Sequence, residues 1–267
     1  LPEFIPTQKK ADYINQLLKV GFDTIDFGSF VSPKAIPQMK DTVDVLDRLD
    51  LSSTKSKLLA IVANKRGADH AVQFEEITYL GFPLSISETF QQRNTKLSIA
   101  EALITLQQIQ DQCLRHNKIL VTYISMGFGN PYGDPYNEEV VAEFVLKLKK
   151  MGVKIISLAD TIGVSSRDNI MYLFSSLISD FPTIEFGAHL HSSPKTALEK
   201  ISACYSAGCH RFDGAIKGFG GCPMAKDELV GNLATESLIA FLGSKKELGL
   251  KQDEFLKAME MAEKVFS

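Results

Sequence analysis

Lys57-Leu58-Leu59-Ala60-Ile61-Val62-Ala63 is, after its leading lysine, an unbroken apolar run. Such a run marks a strand buried on both faces, as in a parallel sheet covered by helices. The sequence on either side repeats the theme. Upstream, residues 7–20 place Ala11, Ile14, Leu17 and Leu18 on one helical face, with Thr7 as candidate N-cap and Gly21 as stop. A strand-like stretch over 23–27 and a second helical pattern over 42–49 follow. Downstream come a short helix over 67–74, strand regions at 76–80 and 83–86, and a long helix over 98–116 opened by a Ser98/Glu101 capping box. Then strands over 119–125, 154–158, 184–188 and 210–214 alternate with helices over 137–151, 166–178 and 194–207. Gly152 and Gly208 end two of those helices, and helices over 226–242 and 252–265 close the chain.

Strands alternating with helices imply a parallel sheet. No strand is followed by Gly-x-Gly-x-x-Gly, which disfavours a Rossmann-type fold. The expected architecture is a (β/α)8 TIM barrel forming a single catalytic domain over 1–267. Seven strands are visible and the chain opens on a helix, so the first barrel strand is expected upstream of Leu1.

The composition, 45% hydrophobic and 23% charged, is that of a globular protein with an ample core. A net charge of -3 argues against nucleic acid as a partner. No apolar run approaches the roughly 18 residues of a membrane span, and no secretory signal is legible at the start. Cys113, Cys204, Cys209 and Cys222 include no Cys-x-x-Cys pair and read as reduced thiols of a cytoplasm-like compartment, bacterial cytoplasm or an organelle matrix.

In TIM barrels the chemistry sits at the C-terminal ends of the strands. Those ends here carry Asp26 and Ser29, Asn64, Ser87 and Glu88, Tyr123 and Ser125, Ser157 and Asp160, His189 and His191, and Asp213. Any one of them alone reads equally as a helix cap or turn residue. His189 and His191 are two apart on a strand and project to one face, the arrangement of a metal-ligand pair. Taken alone, the pair fits strand-end residues making local hydrogen bonds just as well. Gly218-Phe219-Gly220-Gly221-Cys222-Pro223 is a Gly-rich loop able to approach a ligand, with a thiol at its tip. Asn232, near the start of the helix expected over 226–242 or within it, offers an amide oxygen as a hard ligand.

Together these segments resemble the hydroxymethylglutaryl-CoA lyase family. The resemblance is carried by Gly220-Gly221-Cys222-Pro223, Gly231-Asn232-Leu233-Ala234-Thr235-Glu236 and His189-Leu190-His191. Phe30-Val31-Ser32-Pro33-Lys34, Pro37-Gln38-Met39 and Ser157-Leu158-Ala159-Asp160-Thr161-Ile162-Gly163-Val164 agree in the same order along the chain. It implies cleavage of 3-hydroxy-3-methylglutaryl-CoA to acetyl-CoA and acetoacetate, with Mg²⁺ or Mn²⁺ as cofactor, an acyl-CoA substrate and a homodimer. It further implies that His189, His191 and Asn232 are metal ligands and that Cys222 is the catalytic thiol. Asp26 and Asp160 become catalytic carboxylates, and Ser29, Ser157, Tyr123, Gly220 and Gly221 line the substrate pocket.

Three departures from the family pattern stand out. Its Arg-Asp pair on the first strand is expected just before Leu1. Ser192 replaces the Asp that follows the second histidine, and Asp26 stands where Glu is usual. The last two mark a divergent subgroup with room for a different acyl chain. The competing readings are a Claisen-type synthase related to isopropylmalate or citramalate synthase, an aldolase of the 4-hydroxy-2-oxovalerate type, and a catalytically silent barrel. The Gly-Gly-Cys-Pro loop favours the lyase over the synthases.

Overall fold

The computed structural model describes residues 3–221 and 230–266. The elements in chain order are α1 (Thr7–Val20), β1 (Thr24–Ser29), α2 (Thr42–Leu46), β2 (Lys57–Ile61), α3 (Lys65–Ala71), β3 (Ile77–Ser85), α4 (Glu88–Thr95) and α5 (Ile99–Arg115). There follow β4 (Ile119–Ser125), α6 (Glu138–Lys150), β5 (Ile155–Asp160), α7 (Arg167–Asp180), β6 (Glu185–Leu190), α8 (Ala197–Ser206), β7 (Arg211–Asp213), α9 (Thr235–Gly243) and α10 (Gln252–Phe266). The strands lie in sequence order, β1-β2-β3-β4-β5-β6-β7, with parallel pairing. Parallel strands in that order, returned by helices, are the topology of a TIM-type barrel. Seven strands are present among the described residues.

The chain forms two compact units. One comprises Leu1–Gly81, Asp111–Ile119 and Leu248–Ser267, and the other Phe82–Gln110 and Leu120–Glu247. In the first unit the apolar run is a doubly buried strand: Leu58, Leu59, Ala60 and Val62 are all inaccessible. α1 packs on α10. Ala11, Ile14 and Leu18 on one helix and Phe255, Ala258 and Ala262 on the other are buried. Burying each large apolar side chain stabilises by roughly 1.5–3 kcal/mol. Gln16 Nε2 adds hydrogen bonds of 2.8 Å to the Glu254 carbonyl and carboxylate.

In the second unit β4–β7 form the scaffold of the site. Every residue of β5 is buried. Asn137 accepts from Val140 N–H at the start of α6, and Ser166 and Asn169 make a reciprocal capping box at α7. Cys113, Cys204 and Cys209 are buried and form no disulfide among the described residues, and burial pushes the Cys113 and Cys209 thiols up to about 12. They are packing residues.

Some expectations need correction. Thr7 does not cap α1. Pro6 occupies that position, and the Thr7 hydroxyl instead donates to Asp41 Oδ2 at 2.7 Å. α4 had no counterpart in the sequence reading. Its residues are mostly polar and only Phe90 and Gln91 are buried, so no periodicity announces it. The helix expected from 226 begins at Thr235 among the described residues. Residues 231–233 are extended because their backbone groups pair elsewhere. Ser192 N–H donates to Gly231 O and Leu233 N–H to Leu190 O, both at 3.0 Å.

Candidate metal and catalytic site

The site is built on the end of β6, within the second unit. Register sets it up: on β6, His189 lies opposite Ala159 of β5 on one side and Asp213 of β7 on the other. The extended segment 231–233 adds a short antiparallel rung that pairs His191 with Asn232. The two imidazoles share a face, with ring centroids 5.7 Å apart. Tyr123, from β4, meets the His189 ring edge-to-face at 5.4 Å.

Hydrogen bonds fix which nitrogen of each ring is open. His191 Nδ1 lies 2.9 Å from the carbonyl of Val230, which can only accept. Nδ1 therefore carries the proton and Nε2 keeps its lone pair. His189 Nδ1 lies 3.2 Å from Asp213 Oδ2, and a carboxylate likewise accepts. The same Asp213 oxygen accepts from Ser157 Oγ at 3.2 Å, which holds the carboxylate in place. Both histidines thus present Nε2, the pattern by which an outer partner orients a metal-binding imidazole. Burial, helped by the neighbouring His189, pushes His191 below the ordinary histidine range and favours the neutral ring that a ligand must be.

Asn232 is oriented by the same logic. Its Nδ2 donates to the Phe219 carbonyl at 2.8 Å, which leaves Oδ1 as the open atom. Gly220, at φ 95°, makes that possible, since a Cβ there would lie 2.8 Å from Asn232 Nδ2. The donor set is two imidazole nitrogens and one amide oxygen, which fits a divalent ion of the Mg²⁺–Mn²⁺ type that takes mixed N/O ligands with water. Among the described residues no group of three His, Cys, Asp or Glu side chains converges.

The other sequence-predicted residues fall as follows. Asp160 is buried, with both oxygens engaged: Oδ1 accepts from Val164 N–H, and Oδ2 from Ser165 and Lys200. Ser157 is buried under Asp213. Gly220 and Gly221 stand at positive φ, Gly220 against the Asn232 side-chain amide, and lead into Cys222, which lies outside the described residues. Asp26 and Ser29 are on β1 in the first unit. Asp26 is solvent-exposed, and the buried Ser29 hydroxyl has no hydrogen-bond partner among the described residues. Two residues now join the site. Asp213, in the sequence only a polar strand end, orients His189. Lys200 bonds the His191 carbonyl at 2.9 Å. Its signal was a lysine at an apolar-face position of α8, between Ala197 and Ile201.

Sequentially ordered parallel strands, with an oriented histidine pair at the end of one of them, define a TIM-barrel enzyme of the ligand-at-strand-end type. A family model described as HMGL-like matches residues 1–264, and the chain belongs to that family. It is 33% identical over 241 residues to hydroxymethylglutaryl-CoA lyase YngG of Bacillus subtilis, covering 90% of this chain and 80% of that one. A crystal structure of the Bacillus subtilis HMG-CoA lyase superposes with a TM-score of 0.91 at 32% identity, over 99% of this chain and 88% of that one. An HMG-CoA lyase from Acinetobacter baumannii, solved with coenzyme A and 3-methylmalate, gives a TM-score of 0.90 at 29% identity, over 99% and 86% of the two chains.

Proposed function

We propose that this chain is a carbon–carbon lyase that cleaves 3-hydroxy-3-methylglutaryl-CoA to acetyl-CoA and acetoacetate. The observation that carries the reading is the pair of open Nε2 atoms at His189 and His191, with Asn232 paired to His191 through the backbone. Family membership and the coenzyme A held by a structural relative support the substrate class.

His189, His191 and Asn232 would hold a divalent ion, Mg²⁺ or Mn²⁺. When bound, that ion supplies Lewis-acid stabilisation of a tertiary alkoxide. The chain's own residues supply the rest. Asp213 and the Val230 carbonyl keep the imidazoles aimed. Asp26, open to solvent on β1, is the candidate for taking the proton of the 3-hydroxyl. Cleavage leaves the enolate of acetyl-CoA, which needs a proton. An unperturbed thiol, with a pKa of roughly 8.5, is protonated at neutral pH. Cys222 is assigned that role on its place in the Gly-rich loop. Ser29, Ser157, Tyr123, Gly220 and Gly221 are the proposed pocket residues. Ser29 is favoured by its buried hydroxyl, which has no hydrogen-bond partner among the described residues. For Asp160 the geometry favours positioning over proton transfer, since both oxygens are engaged. The proposed assembly is a homodimer, which sedimentation velocity tests.

The test of function is to incubate the purified protein with 3-hydroxy-3-methylglutaryl-CoA after chelation, then with Mg²⁺ or Mn²⁺ restored. Acetoacetate and acetyl-CoA in equal amounts, only with metal, is the expected result. Condensation of acetyl-CoA with a 2-oxo acid instead would favour the synthase reading.

A further inference from the structure

The inward face of α8 contains Ala197, Ile201 and Cys204, all buried, and Lys200 sits on that same face. Its side chain is 4% exposed and that of its partner Asp160 is 0% exposed. A charge so placed is tolerated only when it is paired and its protons are satisfied. Lys200 meets that demand fully. Its ammonium has three protons, and three oxygens receive them: Asp160 Oδ2 at 2.6 Å, His191 O at 2.9 Å and Gly163 O at 3.0 Å. The three acceptors come from the end of β5, the turn after it, and the residue that follows β6.

The network also reaches His191 by a second route. Asp160 accepts from Val164 N–H at 2.8 Å and from Ser165 N–H and Oγ at 3.1 and 2.5 Å, which fixes the turn after β5. Gly163 of that turn is at φ +73°, and a Cβ there would come within 3.1 Å of the Val230 side chain. Val230 in turn offers the carbonyl that receives His191 Nδ1–H. Lys200 thus holds the main chain of His191 directly and braces the acceptor of its ring through the turn.

We propose that Lys200 is a positioning residue for the histidine pair, its ammonium tying His191 O, Gly163 O and Asp160 together so that His191 keeps its Nδ1–H tautomer and aims Nε2 at the ligand. The use made of Nε2 rests on the metal-dependent lyase reading, whereas the tie to His191 does not. Lys200 touches no reacting atom and acts only through His191.

A purely structural ion pair would predict a different outcome, and two variants separate the cases. Lys200→Met leaves a buried carboxylate uncompensated and lowers the unfolding midpoint. Lys200→Met combined with Asp160→Asn removes both charges and recovers most of that loss. Two readouts are taken on each: the imidazole ¹⁵N spectrum of the metal-free protein, and Mn²⁺ affinity by electron paramagnetic resonance. We expect a single Nδ1–H tautomer for His191 in the wild type and a mixture in both variants. Mn²⁺ affinity should fall about tenfold or more in the double variant despite its recovered stability, as for loss of an outer partner of a metal ligand. A double variant with the wild-type His191 spectrum and wild-type Mn²⁺ affinity overturns the proposal. Should the double variant fail to fold, Lys200→Gln, which keeps two N–H donors, carries the same test. Partial tautomer mixing is then expected, and an unchanged spectrum and affinity overturn the proposal. If the wild type itself binds no Mn²⁺, the metal reading falls, and the ¹⁵N spectra alone decide the role of Lys200.

Discussion

Lys10–Asp41 in the first unit and Lys200–Asp160 in the second are both short ion pairs, at 2.7 and 2.6 Å, yet they keep different company. Lys10 and Asp41 remain 13% and 7% exposed, and their other partners, Thr7 and the Gln38 carbonyl, belong to α1 and the turn before α2. That pair fastens a helix to a turn. Lys200 and Asp160 are sealed, and their other partners include a candidate ligand, His191. The same two residue types therefore serve packing in one place and aim a functional group in the other. What separates them is the third partner rather than the length of the ion pair.

If that distinction is right, variants should sort into those that move metal affinity and those that move only stability. The largest effect is expected for His191→Ala. Isothermal titration should show Mn²⁺ affinity lowered by more than the about 10–100-fold typical of removing an outer partner, with the fold intact by circular dichroism. Next comes Lys10→Met, which should cost about 2 kcal/mol in urea unfolding. That figure lies between exposed and fully buried ion pairs. Its Mn²⁺ affinity should equal that of the wild type, and a change there would erase the contrast between the two pairs.

Asp213→Ala should lower Mn²⁺ affinity about tenfold, because His189 loses the carboxylate that sets its tautomer. Equal affinity would mean that Ser157 and Asp213 only pack. The smallest effect is in pH. Burial alone would raise Asp41, but hydrogen bonds from Lys10 and Thr7 outweigh it and hold the carboxyl below its ordinary 3.8. The unfolded chain then binds the proton more readily. The contribution of Asp41 is present above about pH 4 and is lost as pH falls through the lower folded value. The stability difference between wild type and Lys10→Met should therefore shrink below about pH 4 in urea titrations. A difference that is flat with pH would show that Asp41 is not held by Lys10.

Much of this was legible in the sequence because it is local. α1 runs from residue 7 to 20 as its periodicity requires, and Gly21 ends it in a left-handed conformation. The run that starts at Lys57 forms β2 with Leu58, Leu59 and Ala60 buried, and His189 and His191 share a face because strand geometry demands it. The misses are non-local. Asn232 sits in a stretch whose neighbours predict a helix, but its segment pairs with residues about forty positions earlier, at and just after the end of β6. Asp213 gains its role only from the register of β7 on β6, and α4 is held by Asp134 from a loop far along the chain. No periodicity encodes such partners. Cys222, in one of the segments that carry the resemblance, falls outside the described residues.

The central claim is that both imidazoles of the His189-Leu190-His191 pair ligate a divalent ion through Nε2. Electron spin-echo envelope modulation of the Mn²⁺-loaded protein tests it most directly. The account predicts ¹⁴N modulation from two imidazoles, reduced to one in His191→Ala. Mn²⁺ bound without nitrogen modulation, or modulation unchanged in His191→Ala, would contradict it.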